Sequence, residues 1–412
     1  MRRYRLLVPA GLISVVCLFS TADADNVATE TVTLGSANLA TGIPGSGALS
    51  EQEIRQWLSD KNNHTVLQVK LPKGLDAATA NIFIPDDNPL TRAKIELGRQ
   101  LYFDTRLSSD NTISCASCHA PDQGYGAKTQ FGVGVGGQQG GRNSPVSYNR
   151  ILSKEQFWDG RAATLEDQAV GPIANAIEMG NSHEACVACL DGIPGYKQQF
   201  ATIFNDGLNI DNVGKALAAF ERVIVTGPAP YDFQNDITKF ETAFADDLEY
   251  LDEEPELAAR YKKLKDAAAA QPMSESAVRG MKLFAGKAAC TACHAGANFT
   301  DEQYHNLGVG MDADEPDLGR FEVTKVDKDR GAFKTPTLRN VALSPPYMHD
   351  GSQQTLEEVV DWYNKGGHKN PWLSDKMKPL NLTDQEAADV VAFMKEGLTS
   401  EFTKVETGRL PQ

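Results

Sequence analysis

The apolar positions of this chain recur at helical spacing in two separate regions. The first run lies between Asp211, which we predict as the N-cap, and a stop at Gly227 and Pro228. The second run follows Thr383 and Glu386, whose spacing is that of a capping box. The apolar faces are Val213, Leu217, Phe220 and Ile224 in the first region, and Val390, Phe393 and Met394 in the second. Each region therefore predicts an amphipathic helix with one buried face.

A second pair of predicted helices carries the pattern Gly-x-x-Leu-aromatic, once at Gly98 and again at Gly280. A further helix begins after Thr355, continues through Tyr363 and ends at Gly366. The same kinds of helical elements thus occur in both halves of the chain.

The two halves also contain copies of one segment. Residues 143–167 align with residues 334–358 without a gap at an offset of 191 positions, and nine of the 25 positions are identical. The identical pairs are Pro145/Pro336, Asn149/Asn340, Leu152/Leu343, Ser153/Ser344, Asp159/Asp350, Gly160/Gly351, Thr164/Thr355, Leu165/Leu356 and Glu166/Glu357. The same offset places Pro172 opposite Tyr363. The repeat predicts two tandem domains of similar, mainly α-helical fold.

The first 24 residues have the pattern of a secretory signal peptide. Arg2, Arg3 and Arg5 precede an apolar run from Leu6 to Ser20, and a small-x-small site follows at residues 22–24. The alternative is a buried N-terminal helix. The run is too short to span a bilayer, so we expect an exported, periplasmic protein without a membrane span.

The charge of the chain excludes some classes of partner. Removal of residues 1–24 takes away three arginines and one aspartate, which changes the net charge from −15 to −17. Such a surface repels nucleic acid and anionic lipid. A docking partner would more plausibly be basic, or contact a local patch.

Two of the three remaining cysteine pairs are followed directly by histidine. They are Cys115 and Cys118 with His119, and Cys290 and Cys293 with His294. This spacing is the attachment signature of c-type haem, in which two thiols bond the haem edge and the histidine ligates iron. A zinc knuckle or a redox dithiol would be the alternatives for one such motif. Two motifs in an exported chain favour two covalent haems.

The third pair, Cys186 and Cys189, is followed by Leu190 and so lacks a histidine ligand. An oxidising compartment favours a disulfide between two cysteines at this spacing, and two inert buried thiols are the alternative.

These elements together predict two class I cytochrome c-like domains, each wrapping one covalently bound haem. We place an N-terminal extension at residues 25–82, a first cytochrome c-like domain at residues 83–260 and a second at residues 261–412.

The repeat also predicts that the two iron sites differ. Tyrosine can ligate iron as phenolate, whereas proline cannot ligate at all, so Tyr363 would close the second site and Pro172 would leave the first open to peroxide. Gln168 and Glu178 flank Pro172. A carboxylate beside bound peroxide can move a proton between its oxygens, while a solvated charge is the alternative for Glu178.

The chain resembles the bacterial di-haem cytochrome c peroxidases over roughly residues 83 to 400. The motifs that carry the resemblance are residues 97–108, both CxxCH motifs, and residues 142–145, 157–161, 177–179 and 346–351. The resemblance implies a peroxidatic first haem, an electron-transferring second haem and Trp158 as a relay between them. It also implies one calcium ion, bound by the Asn143 side chain and the carbonyls of Ser344 and Pro346; hard oxygen ligands suit that ion.

Two departures from the standard peroxidases resemble the MauG branch, whose founding enzyme uses peroxide to complete a tryptophan-derived cofactor inside another protein. Residues 132–137 hold no histidine where standard members carry one that blocks the first haem, and Tyr363 stands where they have methionine. Three functions stay open: peroxide removal with a small cytochrome c or cupredoxin as electron donor, oxidation of Trp or Tyr side chains of a partner protein, and plain electron transfer. The open first site weighs against the last.

Overall fold

The chain folds mainly into helices. The computed structural model describes residues 29–36 and 38–412, so the predicted signal peptide at residues 1–24 lies outside the described residues. The helices are α1 Glu51–Ser59, α2 Arg92–Phe103, α3 Cys115–Cys118, α4 Leu165–Ala174, α5 His183–Asp191, α6 Pro194–Ile203, α7 Ile210–Glu221, α8 Pro230–Ala243, α9 Pro255–Ala269, α10 Glu275–Ala285, α11 Phe321–Thr324, α12 Leu356–Lys365 and α13 Asp384–Ala392, which continues as a π-turn over Phe393–Gly397. Short strands pair as β1 Thr29–Thr33 with β2 Val66–Lys70, in parallel, and as β3 Tyr304–Asn306 with β4 Ala332–Lys334, antiparallel. None of these helices has the length and apolar character that crossing a membrane requires.

The repeat seen in the sequence is also a repeat of the backbone. Asn149 and Asn340 both adopt left-handed conformations, with φ of 56° and 55°, and each precedes a 3₁₀ turn. Helices α4 and α12 begin after Thr164 and Thr355, which cap them with their side chains. The predicted gap-free alignment is therefore confirmed in three dimensions.

Each domain is built around one close crossing of two helices. Helix α2 packs on α7, and α10 packs on α13. A Cβ atom at Gly98 would overlap the carbonyl of Ala216, and one at Gly280 would overlap the carbonyl of Asp389. Glycine in the Gly-x-x-Leu-aromatic pattern therefore lets the two backbones touch.

The bounds of α7 correct one expectation. The N-cap is Asn209, whose side chain accepts a hydrogen bond from the Asn212 amide at 2.9 Å, and Asp211 lies in the first turn instead. The helix ends at Glu221, before the predicted stop at Gly227 and Pro228. Both Asn209 and Asp211 can cap a helix. The Asn212 side chain also donates hydrogen bonds to Asp206 and to the Gly207 carbonyl, and these bonds favour a helix that begins after Asn209.

The two ends of the described chain pack on the first domain. Val32, Leu34 and Leu67 from the predicted extension join its apolar core. The last residues return to the same core, because Arg99 donates hydrogen bonds to the carbonyls of Glu406 and Gly408 at 2.9 and 2.8 Å. The C-terminal tail thus packs away from the domain in which the sequence placed it.

The predicted boundary between residues 260 and 261 falls inside α9, so a division after residue 269 leaves that helix whole. Helices α8 and α9 pack on each other between the two domains. Arg339 of the second domain binds Asp232 of α8 in a buried ion pair of 2.9 Å, which ties this hairpin to the second domain.

Candidate functional site

One continuous cavity of about 720 Å³ runs between the two domains and is lined by both CxxCH motifs. Cys115, Cys118 and His119 lie at one end, and Cys290, Cys293 and His294 at the other. In each motif the histidine amide donates to the carbonyl of the first cysteine, at 3.1 and 2.8 Å, which closes one helical turn. That turn places two thiols and an imidazole beside the same space.

Both histidines are oriented for ligation through Nε2. The Nδ1–H of His119 donates to the carbonyl of Tyr125 at 3.3 Å, and the Nδ1–H of His294 donates to the carbonyl of Phe299 at 3.0 Å. Burial lowers the pKa of both imidazoles, which keeps them neutral. A neutral imidazole with Nδ1 occupied is the form that binds iron, so these residues fit two c-type haems.

Helix α4 and the turn after it line the cavity beside the first motif. Pro172 and Gln168 on α4 line the cavity, and so does Glu178. Burial raises the pKa of the Glu178 carboxyl; the Arg161 guanidinium and a 2.8 Å hydrogen bond from Asn175 Nδ2 oppose the shift. A half-buried carboxyl with a raised pKa is better suited to proton transfer than a solvated charge is.

A glycine-rich loop holds Glu178 in place. The Val135 amide donates to the carbonyl of Glu178 at 2.8 Å, and a Cβ atom at Gly134 would overlap the carbonyls of Ile177 and Glu178. The loop that lacks a histidine is therefore packed directly against the acidic residue.

The second motif faces a tyrosine. Tyr363 on α12 lines the cavity and is half-buried. Burial raises its pKa, and the thiols of Cys290 and Cys293 add to the shift. A phenol that lines a cavity is a group that a metal cation bound there would stabilise as phenolate.

Trp158 lies between the two ends of the cavity. Its Nε1–H donates to the carbonyl of Asn143 at 2.8 Å, and its own carbonyl accepts from the Lys334 amide of the second domain at 2.8 Å. Ser344 and Pro346 line the same cavity as Asn143. The side-chain Nδ2 of Asn143 donates to the carbonyl of Gln130 at 3.0 Å, so the side-chain oxygen Oδ1 is free to act as a cation ligand.

Comparison with known proteins identifies the family. Residues 92–237 match the family described as di-haem cytochrome c peroxidase, and residues 277–397 match the cytochrome c family. The methylamine utilization protein MauG of Methylorubrum extorquens is 37% identical over 79% of this chain and 84% of that protein. This chain belongs to the di-haem cytochrome c peroxidase family.

Two further relatives agree with this membership. The cytochrome c551 peroxidase of Nitrosomonas europaea is 31% identical over 81% of this chain and 91% of that protein. A solved MauG-like protein associated with microbial copper homeostasis superimposes with a TM-score of 0.64 at 30% identity, over 78% of this chain and 93% of that one. The predicted mainly α fold of two tandem cytochrome c-like domains is confirmed. This di-haem peroxidase is an oxidoreductase that acts on peroxide, and it carries two c-type haems.

Other polar residues of this di-haem peroxidase line the cavity without having been assigned roles from the sequence. Arg161 lies 3.5 Å from the centre of the Phe157 ring, binds Asp159 at 3.1 Å, and is the cation that opposes the raised pKa of Glu178. His349 stacks on Phe333 at 3.5 Å. Arg161 and His349 both belong to motifs that carried the family resemblance, so membership of those motifs could have identified them as site residues from the sequence.

The third cysteine pair is present as free thiols, so the expected disulfide is not formed in this structure. Cys186 is buried in the first core, and Cys189 points its sulfur at the carbonyl of Arg106, 3.5 Å away. Both side chains lie on α5, whose regular helical backbone keeps them in packing positions.

Proposed function

We propose that this chain reduces hydrogen peroxide at the haem held by Cys115, Cys118 and His119, and that electrons reach this haem through the second one. A single observation carries the proposal: α4 and α12 are in the same register, and their equivalent residues Pro172 and Tyr363 both line the cavity. Because proline offers no ligand, the first distal side keeps room for peroxide.

The distal side chains would handle the protons of the reaction. When bound, the haem supplies the iron to which peroxide coordinates and from which it takes electrons. Glu178 would take the proton from the oxygen nearer the iron and give it to the farther oxygen, which can then leave as water. Gln168 would hydrogen-bond the bound peroxide, and Asn175 keeps the Glu178 carboxyl facing the cavity.

Electron passage would use the residues between the two domains. The Trp158 indole donates to the Asn143 carbonyl within the first domain, and the Trp158 carbonyl accepts from the Lys334 amide of the second domain. Such a fixed indole fits the role of a relay. A calcium ion bound by Asn143 Oδ1 and the carbonyls of Ser344 and Pro346 would stabilise the same junction.

The second haem would be ligated by His294 and Tyr363. The position of Tyr363 in the cavity, near Cys290 and Cys293, supports this assignment. Phenolate ligation favours oxidised iron, so a small cytochrome c or a cupredoxin would be a poorer match as electron donor than for a methionine-ligated haem.

A second candidate function is oxidation of Trp or Tyr side chains in a partner protein. It is favoured by Tyr363 and by the 37% identity to MauG, a protein named for methylamine utilization. We propose a periplasmic location for either function, because the first 24 residues have the signal-peptide pattern.

The experiment mixes hydrogen peroxide with the fully oxidised holoenzyme, which has not been reduced beforehand, and follows the haem absorption spectrum. An immediate spectral change supports the open first site. No change before reduction, followed by turnover after it, would place the chain with the activation-dependent peroxidases. A reduced cytochrome c, a reduced cupredoxin and a tryptophan-containing peptide are then compared as the source of electrons.

Calcium is tested separately. Treatment with a chelator should alter the spectra of both haems and slow electron passage between them, and added Ca²⁺ should restore both. Asn143→Ala should reproduce the chelated state and no longer respond to Ca²⁺. A spectrum that does not change in either case would refute this site.

A further inference from the structure

Each proximal histidine depends on an aromatic residue with a strained backbone. The carbonyl that accepts from His119 belongs to Tyr125, with φ of 55°, and the one that accepts from His294 belongs to Phe299, with φ of 50°. Left-handed conformations are unfavourable for bulky side chains and persist only where the surrounding packing enforces them. The packing around these two rings therefore determines where the two carbonyls point.

The ring of Tyr125 is held by the C-terminal tail. Phe402 lies with its ring centre 5.0 Å from that of Tyr125 and 5.0 Å from that of Tyr148. All three rings belong to the core of the first domain, although Phe402 comes after the last helix of the second. The support for the first proximal loop thus arrives from the far end of the chain.

The ring of Phe299, in the second domain, is held by a residue that comes from the first half of the chain. Tyr231, in the first turn of α8, lies 5.0 Å from Phe299 and 5.8 Å from Phe393. It packs in the core of the second domain, although it comes directly after the last core helix of the first. The support is therefore exchanged between the two domains.

The two exchanged segments run past each other as an antiparallel pair. Thr226 forms a bridge with Phe402, and the Gly227 amide donates to the carbonyl of Glu401 at 2.8 Å. Buried Thr403 adds a hydrogen bond from its amide to the carbonyl of Val225 at 3.2 Å. These hydrogen bonds hold the two segments side by side.

We propose that Phe402 and Tyr231 are positioning residues, each for the proximal histidine in the other domain. Phe402 keeps Tyr125 in the conformation that orients His119, and Tyr231 does the same for Phe299 and His294. The inference rests on the proposed assignment of these two histidines as iron ligands.

The experiment compares the holoenzyme variants Phe402→Ala and Tyr231→Ala by electron paramagnetic resonance of the two ferric haems. We expect Phe402→Ala to shift the signal of the first haem alone and Tyr231→Ala to shift that of the second alone. Phe402→Leu, which keeps an apolar side chain, should retain most of the parent signal. Tyr250→Ala is the matched control, since this tyrosine is 57% exposed.

Three outcomes would overturn the proposal. Unchanged signals in both alanine variants would show that the rings do not orient the histidines. Equal shifts at both haems, or a loss of thermal stability without any shift, would show a general structural role. If His119→Gly and His294→Gly leave both signals of the parent unchanged, the assignment of the ligands fails instead, and that result is distinguishable from the others.

Discussion

Pro172 and Tyr363 are each the eighth residue of two helices that stand 191 positions apart in the same register. Both helices begin after a capping threonine and follow a glycine with positive φ, Gly160 in one case and Gly351 in the other. The backbone has thus been kept, while the side chain at this position of the helix differs. Under the proposed function, this difference would give two similar folds different iron chemistry.

The first prediction concerns haem attachment. Denatured holoprotein in alkaline pyridine should contain two c-type haems per chain, and both should resist acid-acetone extraction because thioether bonds are covalent. Cys290→Ala combined with Cys293→Ala should leave one attached haem. Fewer than two haems in the parent, made in a host that matures c-type cytochromes, would contradict the assignment.

The second prediction concerns the helix crossings. Gly98→Ala should destabilise the first domain by about 1–3 kcal/mol, because the new methyl group would overlap the carbonyl of Ala216. Thermal unfolding followed by circular dichroism measures the effect. Gly141→Ala is the control, since a Cβ atom there would meet nothing within 4 Å. Equal melting temperatures for the two variants would show that the crossing can relax.

Much of this architecture follows from short-range rules. The capping box at Thr383 and the glycine after α12 at Gly366 lie where the sequence predicted them. Helix caps and repeats can be predicted from the sequence because the residues that form them are close in sequence or identical in two copies.

The errors have long-range causes. The choice of Asn209 over Asp211 as N-cap depends on bonds that Asn212 makes outside the helix, and both residues look suitable from sequence alone. The return of the C-terminal tail depends on Arg99, which is more than 300 positions away from the carbonyls that it binds. The residue pattern within the α7 region or within the C-terminal tail does not predict such contacts.

The third prediction concerns Glu178. Glu178→Gln should keep the resting haem spectra and slow the reaction with peroxide by at least ~100-fold, the usual scale of general acid–base catalysis. Stopped-flow absorption measures the rate. Asp122→Asn, a change on a 3₁₀ turn outside the cavity, is the control for loss of one acidic charge.

The pH dependence of that rate should reflect the titration of Glu178. The Glu178 pKa is raised, so the carboxylate that accepts the proton is lost at a higher pH than for an exposed glutamate. The parent rate should therefore fall on acidification beginning above about pH 4.3, the ordinary value for this side chain. A matching fall in Glu178→Gln would assign the titration to another group.

The last prediction concerns Tyr363, which should ligate the second iron. Tyr363→His should leave both haems attached, shift the spectrum of the second haem and raise its midpoint potential, because neutral imidazole stabilises ferric iron less than phenolate does. Redox titration of the holoenzyme measures the potential, and Tyr347→Phe, which removes a different hydroxyl that lines the cavity, is the control. The first haem should keep its immediate reaction with peroxide, since Pro172 leaves its distal side free in both proteins. If the parent is low-spin at both irons and inert to peroxide until it is reduced, another side chain closes the first site, and buried Met179, which follows Glu178 and lines the same cavity, is the first residue to replace.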